Sequence, residues 1–552
     1  MKKFLRYSAA LTMLVLFAAC GTKAPDFARY LPANTANAIM VDVSSLEQIL
    51  EADGLSPDSI LGTPGDSSNK HNDLLASWNA FKASGLDMQQ PLVIAHAGAG
   101  LLTSKSHQLV VGTMKDANAF GAYLQKRLPD ASVKKEDGIH LVDLKNSAIG
   151  WNDQMAVMLH ETSMPLPEIL RDSVMNRHAQ VVETNLAAAV KSYFNLSRSN
   201  SLAGNKFFAA GYAKPGEIKM FNSGVGAFGT PGSNAVLALM PRVSELLEGI
   251  YQFSYLKFDA GKVTVTSDLQ VGKNLKKILD KHGKQTIDLN LLKGIPFSDL
   301  KGAFAFAVDP DLLPALLKYT NLEEVANKEL QKSNLNVAEL ARVFDGQFVV
   351  MVGDRPEVAA ELDSIHHFPH SVMFMARMKD TSVLPKLRDL HSRPGRFNMI
   401  PDSLREQVQA KNSGRDSIYQ GMIGDLYVFT NSPDAYHQVQ SGKFAYTPDQ
   451  EVLKNMERKA AAGFVDFTAL TGKGNFTAND SMPQAGRQAI QATQELLSQG
   501  WFTTNTFNNG HFESIGEMDL NTIKNALAAL TRLMMQWSAL RQDSTMHRVV
   551  KK

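Results

Sequence analysis

The chain of 552 residues contains one cysteine, Cys20, so an intramolecular disulfide is excluded. It also has little net charge, because 57 basic residues nearly balance 55 acidic ones. It shows no basic stripe and no cluster of stacking aromatics, and we therefore predict no nucleic-acid partner. After residue 19, no apolar run approaches the about 20 residues that cross a bilayer, which excludes a second membrane anchor of that kind.

The N-terminus has the three parts of an export signal. Three basic residues lie among the first six, an apolar run covers Ala9–Ala19, and the small residues Ala18 and Ala19 precede Cys20. The junction resembles the lipobox of bacterial lipoproteins, although Phe17 stands where leucine is usual. We predict that residues 1–19 are removed and that Cys20 is acylated, so the membrane is a partner through the lipid. A secretory signal with an incidental cysteine is the alternative.

The residues after Cys20 indicate where the protein works. Gly21 follows the cysteine instead of the aspartate that commonly marks inner-membrane retention, which favours the outer membrane. No acidic run follows, which favours the periplasmic face, with exposure on the cell surface as the alternative. Residues 20–29 are too short to carry a folded body far, because an extended chain gains only about 3.5 Å per residue.

Landmarks in the first half of the chain recur in the second half in the same order. Residues 36–42 form an apolar strand that ends in Asp42, and residues 303–309 form another that ends in Asp309. A Met-Lys-Asp junction at residues 114–116 matches one at 378–380, and a hairpin at 149–159 matches one at 419–429. The ordered spacing predicts a gene duplication. The alternative is that any α+β protein offers strand-helix pairs that can be aligned.

We therefore predict an α+β fold of two tandem similar halves, each a mainly antiparallel sheet with helices packed on one face. The first repeat domain is expected at 30–290 and the second at 291–541, with a flexible tail at 542–552.

The junctions resemble a known family. Tyr30-Leu31-Pro32-Ala33 precedes the first strand, Gly85-Leu86-Asp87 precedes the second, and the Met-Lys-Asp motif occurs twice. This pattern resembles the large lipoproteins of Bacteroidota that are grouped as a domain of unknown function. The resemblance covers nearly the whole mature chain and supports the compartment and the duplication. It implies no activity.

Candidate chemistry is sparse. His366, His367 and His370 form a cluster of imidazoles that could bind zinc or copper, but neighbours on an extended chain point in opposite directions. A surface loop is the simpler interpretation. The glycine pattern at 224–229 lacks the helix that a dinucleotide needs, so we predict no cofactor. Asp42, Asp116, Asp309 and Asp380 precede helices, where capping explains each one without catalysis.

Two functional hypotheses remain. The first is a non-enzymatic envelope lipoprotein that binds or scaffolds an envelope protein, a glycan or a lipid. The second is a hydrolase or metal-dependent enzyme with a site assembled between the two halves, because active sites can form from distant residues. We identify no catalytic residue, and the absence of chemical motifs favours the first hypothesis.

Overall fold

The computed structural model describes residues 23–52, 70–97, 105–163, 185–224, 241–259, 261–292, 294–297, 300–332, 334–354, 370–383, 386, 419–444, 450–471 and 497–520. These residues form two compact units. The first comprises Met1–Leu239 with Ile250–Phe258, and the second comprises Met240–Gly249 with Asp259–Lys552, each within the described ranges. Predicted features at residues 1–22, at His366 and His367, at most of the 224–229 loop and at 521–552 lie outside them.

The first unit contains an antiparallel sheet of nine described strands. They are β1 (Thr35–Val41), β2 (Leu92–Ala97), β3 (Lys105–Thr113), β4 (Val133–Glu136), β5 (Ile139–Leu144), β6 (Ser147–Trp151), β7 (Met155–Ser163), β8 (Ile218–Ser223) and β9 (Tyr251–Asp259). The spatial order is β9-β8-β1-β2-β3-β7-β6-β5-β4. The first strand in the chain therefore lies inside the sheet.

Helices cover both faces of this sheet. They are α1 (Val43–Ala52), α2 (Lys70–Lys82), α3 (Ala117–Arg127), α4 (Leu186–Phe194) and α5 (Lys206–Tyr212). Val190 of α4 and Phe208 of α5 join one buried cluster, whereas Phe120 of α3 packs with Ile149 and Trp151 in another. The prediction that helices occupy one face is therefore wrong for this unit. The physical reason is that β6 is buried on both sides, so both faces need apolar cover.

The second unit also contains nine described antiparallel strands. They are β10 (Lys262–Gln270), β11 (Leu300–Ala307), β12 (Phe344–Asp354), β13 (His370–Met378), β14 (Tyr419–Ile423), β15 (Leu426–Thr430), β16 (Lys459–Asp466), β17 (Leu497–Asn505) and β18 (His511–Leu520). Their order is β10-β18-β17-β16-β11-β12-β13-β15-β14. The hairpins predicted at residues 149–159 and 419–429 are confirmed by the β6–β7 and β14–β15 pairs.

The second unit has eight described helices. They are α6 (Pro241–Leu247), α7 (Lys273–His282), α8 (Leu312–Tyr319), α9 (Glu323–Gln331), α10 (Val337–Val343), α11 (Pro433–Ser441), α12 (Gln450–Met456) and α13 (Phe467–Thr471). Val439 of α11 and Met456 of α12 pack with Ala305, Val349 and other inward residues of the sheet. The mixed α+β class with antiparallel sheets is confirmed. Among the described helices, none is long and apolar enough to cross a membrane.

The two Met-Lys-Asp junctions have the same hydrogen bonds. The amides of Lys115 and Asp116 both donate to the Gly85 carbonyl at 2.9 Å, and those of Lys379 and Asp380 both donate to the Val343 carbonyl. Met114 donates to the Gln154 carbonyl at 2.9 Å, and Met378 donates to the Asp425 carbonyl at 2.8 Å.

All four predicted capping aspartates accept local hydrogen bonds at the start of a helix or helical turn.

Candidate ligand-binding cavity

Strand β11 presents its large side chains away from helices α11 and α12. Ala303, Ala305 and Ala307 face the helix-covered core, while Phe304 and Phe306 lie on the opposite face. Successive side chains of a strand point to opposite faces of the sheet. The small residues of β11 therefore lie on one face and the large ones on the other, and neither face of this strand is polar. Strand β11 is therefore apolar on both faces of the sheet, and Phe304 is still 40% exposed.

A cavity of about 500 Å³ lies on this second face. Two neighbouring cross-strand rows of residues form its floor. The first row contains Val352, Gly302, Val465, Gly500, Met518 and Val263. The second row contains Val350, Phe304, Gly463, Phe502, Gly516 and Val265. In each row, glycine alternates with a larger residue from strand to strand across β11, β16, β17 and β18. On a strand where one row has glycine, the other row has the larger residue.

Aromatic rings fill part of the space that the glycines leave. The ring of Phe304 lies over Gly463, where an added Cβ would be 2.8 Å from Cδ2, and the ring of Phe467 lies 3.0 Å from the corresponding position at Gly500. At Gly516 the closest atoms would be 3.8 Å away, so this position is open. Phe304 and Phe502 stack at 6.3 Å between ring centroids and form one wall of the cavity.

The part of the cavity lining that the structure describes offers no charge to a ligand. Among these described residues, only Glu517 has an ionisable side chain, and its carboxylate pairs with Lys262 at 2.8 Å. Its neighbours Gly516 and Met518 belong to the cavity face, so the Glu517 side chain lies on the opposite face of β18. The lining therefore favours an uncharged, apolar group.

The first unit has a second apolar cavity, of about 450 Å³, beside α3. Leu92, Val110 and Met158 of the sheet and Phe120 of α3 line it, together with the exposed Arg127. Phe120 also belongs to a buried cluster, so this cavity is partly closed by the packing of α3 on the sheet.

The sequence-predicted site residues lie elsewhere. Cys20, His366 and His367 fall outside the described residues. His370 is the first residue of β13 and is only 1% exposed, and its carbonyl accepts a hydrogen bond from Asn431 at 3.1 Å. Within the described ranges, no group of three or more histidine, cysteine, aspartate or glutamate residues could hold a metal ion.

A signal for the cavity is present in the sequence, and our sequence analysis missed it. Each of the four strands that contribute a cavity glycine contains glycine followed two residues later by a bulky residue: Gly302 and Phe304, Gly463 and Val465, Gly500 and Phe502, Gly516 and Met518. A repeated Gly-x-bulky pattern in strands indicates close approach of another group to the sheet.

No family model matches the chain. No curated protein matches it. The chain is similar to TP0453 in its crystal form III, at 11% identity and a TM-score of 0.26, over 45% of this chain and 81% of that one. Crystal form IV gives 11% identity and a TM-score of 0.25, over 44% and 79% of the two chains. At these scores the likeness supports no conclusion about fold or function.

Proposed function

We propose that this chain is a lipid-anchored protein of the bacterial cell envelope that binds an apolar ligand and catalyses no reaction. The observation that carries the proposal is the cavity of about 500 Å³ in the second unit, which has an apolar lining and two half-exposed phenylalanines. Full burial of a phenylalanine contributes about 1.5–3 kcal/mol, so a ligand that covers Phe304 and Phe502 would gain part of that energy at each ring. Exposed apolar patches of this kind mark binding sites.

The cavity favours a lipid over the other predicted partners. A glycan needs hydrogen-bonding groups, and protein interfaces place polar residues around an apolar centre. The lining residues that the structure describes supply neither. Titration of the purified protein with the apolar dye N-phenyl-1-naphthylamine tests the proposal, since dye fluorescence rises in an apolar site. We expect saturable binding that Gly516→Phe weakens at least about tenfold, because the new ring would occupy the open position.

Thr266→Val is the matched control, because Thr266 pairs with Ile515 on the opposite face of the sheet. It should bind the dye like the unchanged protein. Equal binding by the unchanged protein, Gly516→Phe and Thr266→Val would disprove the cavity as the site, provided that circular dichroism reports the same fold for all three.

The anchor is proposed at Cys20, on the outer membrane and facing the periplasm. The support is the N-terminal pattern of basic residues, apolar run and small residues before the cysteine. Mass spectrometry of the mature N-terminus should find an acylated Cys20, and Cys20→Ala should leave the membrane fraction. Protease added to intact cells should leave the protein uncut. Cleavage in intact cells would instead indicate that the folded part of the protein is exposed on the cell surface.

We also propose that the two halves arose by duplication. The support is that both units share one order of strand pairing, β9-β8-β1-β2-β3-β7-β6 in the first and β17-β16-β11-β12-β13-β15-β14 in the second. The matching hydrogen bonds of the two Met-Lys-Asp junctions are a second, independent support. The boundary between the repeats remains a prediction, near residue 290. The two compact units divide elsewhere, because residues 259–290 belong to the second unit.

A further inference from the structure

We infer that the sheet of the first unit carries a second binding site, a row of uncharged hydrogen-bonding side chains that takes a neutral glycan. The row crosses seven adjacent strands, from β9 to β6. It goes beyond the proposed function, which assigns no ligand to the first unit. The proposed duplication serves only to match positions between the two sheets.

Strand register places polar residues side by side on one face of the first sheet. Residues that pair across neighbouring strands have their side chains on the same face. The successive pairs form one continuous row: Gln252, Asn222, Asn37, His96, Gln108, His160 and Ser147. Each of these residues is partly buried. Seven strands therefore contribute amide, imidazole or hydroxyl groups to a single line, without an aspartate, glutamate, lysine or arginine.

The absence of such residues from the row distinguishes it from a surface that is only solvated. The exposed strand β4 of the same unit presents Lys134, Lys135 and Glu136 to water. In the polar row, burial lowers the pKa of His96, so this imidazole is neutral at pH 7. A charged ligand therefore finds no opposite charge among the seven residues, whereas an uncharged ligand does not need one.

The matching row of the second sheet is apolar, so the fold does not require polar residues at these positions. Gln108 lies eight residues before Asp116, and Val372 lies eight residues before Asp380. Strand pairing extends the match: the positions of Gln252, Asn222, Asn37, His96 and Gln108 are taken in the second sheet by Gly500, Val465, Gly302, Val352 and Val372. The first four of these form part of the cavity floor. The same place is thus apolar in one unit and hydrogen-bonding in the other.

Hydrogen bonds within the row orient its side chains and leave groups for a ligand. Nδ1 of His96 lies 2.8 Å from Oδ1 of Asn37, and the amide nitrogen of Asn222 donates to Oε1 of Gln252 at 3.3 Å. A primary amide has two donor hydrogens and an oxygen with two lone pairs, so it retains capacity after one bond. Within the described residues, the Gln108 side chain makes no hydrogen bond. A sugar hydroxyl both donates and accepts, and it therefore matches a line of amides and imidazoles.

An apolar row runs beside the polar one on the same face. It contains Ile39, Ile94, Val110 and Met158, each two residues along its strand from a polar neighbour. Ile39 is 39% exposed and Met158 is 36% exposed. A sugar ring has hydroxyls at its edge and C–H groups on its faces, so it can contact both rows at once. Polar groups beside an apolar surface are the usual composition of a small-molecule site.

The experiment uses the full chain with Cys20→Ala and isothermal titration calorimetry at pH 7. The probes are the hexamers of glucose, of N-acetylglucosamine and of mannose, with the hexamer of galacturonic acid as the charged counterpart. We expect saturable binding of at least one neutral hexamer, at least about tenfold tighter than binding of the galacturonic acid hexamer. No binding of any neutral hexamer at millimolar concentration, or tighter binding of the charged one, would overturn the inference.

Two variants test the location of the site. Gln108→Leu removes hydrogen-bonding groups at nearly constant size and should weaken glycan binding about three- to tenfold, as expected for one lost hydrogen bond. Ser147→Ala should also weaken it, because Oγ of Ser147 lies 2.8 Å from Nδ1 of His160 and orients that ring. Gln125→Leu, at an exposed position of α3, is the matched control and should bind like the unchanged protein. Equal binding by all three variants, with the same circular dichroism, would overturn the assignment to this row.

The two proposed sites are expected to fail independently. Gly516→Phe should weaken dye binding and leave glycan binding unchanged, and Gln108→Leu should do the reverse. Loss of glycan binding in Gly516→Phe would overturn the placement of the glycan in the first unit. If the unchanged protein binds a neutral hexamer but no dye, the proposed apolar function fails and the glycan site stands.

Discussion

The ring of Phe304 lies directly over the backbone of Gly463 on the neighbouring strand. A Cβ added at Gly463 would be 2.8 Å from Cδ2 of Phe304 and 3.0 Å from the carbonyl oxygen of Ala303. An aromatic ring on a cross-strand glycine covers backbone that would otherwise face water, and it gives the cavity a smooth wall.

The first prediction compares two glycines of the same row. Gly463→Ala should destabilise the protein by about 1–3 kcal/mol, because the methyl group displaces the Phe304 ring and meets a carbonyl oxygen that cannot move freely. Gly516→Ala should be neutral or stabilise by up to about 1 kcal/mol, because its position is open and alanine restricts the unfolded chain. Urea unfolding of both variants measures the difference. Equal losses at the two sites would contradict the packing described.

The second prediction concerns the start of α3. The Asp116 carboxylate accepts hydrogen bonds from the amides of Asn118 and Ala119 at 2.9 and 3.0 Å. Asp116→Ala should lower the free energy of unfolding by about 0.5–2 kcal/mol, since two amides lose their partner. Asp116→Asn should retain most of the stability. A loss of equal size in both variants would mean that charge, not capping, is responsible.

The third prediction is a pH dependence at Asp288. Burial raises the pKa of this carboxyl, but hydrogen bonds from the Asn290 amide and from Arg377, the latter at 2.6 Å, outweigh burial and hold the pKa below its ordinary value. Since the pKa is lower in the folded chain than in the unfolded one, the stabilisation is present above about pH 4 and is lost as the pH falls through the folded value.

Asp288→Asn should therefore cost about 1–2 kcal/mol at pH 7, and the difference from the unchanged protein should shrink in acid. Urea unfolding at several pH values measures it. Asp143→Asn, at an exposed position of β5, is the control and should stay within about 0.5 kcal/mol of the unchanged protein. A cost at Asp288 that does not vary with pH would argue against the Arg377 pair.

The fourth prediction separates backbone strain from a clash. Gly85 has a φ of +94°, and a Cβ there would be 2.3 Å from the Asp116 carbonyl oxygen. Gly138 has a φ of +80° and no atom within 4 Å of such a Cβ. Gly138→Ala should cost about 1–2 kcal/mol from strain alone. Gly85→Ala should cost clearly more, which thermal unfolding can measure; similar costs would mean that the Gly85 turn relaxes.

Much of the local structure could be predicted from the sequence. The hairpin motifs at residues 149–159 and 419–429 predicted antiparallel strand pairs, and aspartates before helices predicted caps. These features depend on residues close together in the chain. The packing of α3 on the second face of the first sheet could not be predicted in this way, because it depends on which strands of the sheet are buried on both sides.

The candidate site was less accessible to sequence reasoning. The histidine cluster drew attention because its residues are adjacent, yet His370 is buried at the start of β13. The cavity was overlooked because glycine and valine have no chemical signature. Only the Gly-x-bulky spacing, repeated in four separate strands, indicated it.

The sequence by itself determined which segments form strands, where hairpins turn and where helices begin, because hydrophobic period and hydrogen bonding to the backbone act over a few residues. The tertiary structure alone decided that Gly302, Gly463, Gly500 and Gly516 lie on adjacent strands in alternating rows. Strand register sets that arrangement, and register depends on pairing between segments far apart in the chain.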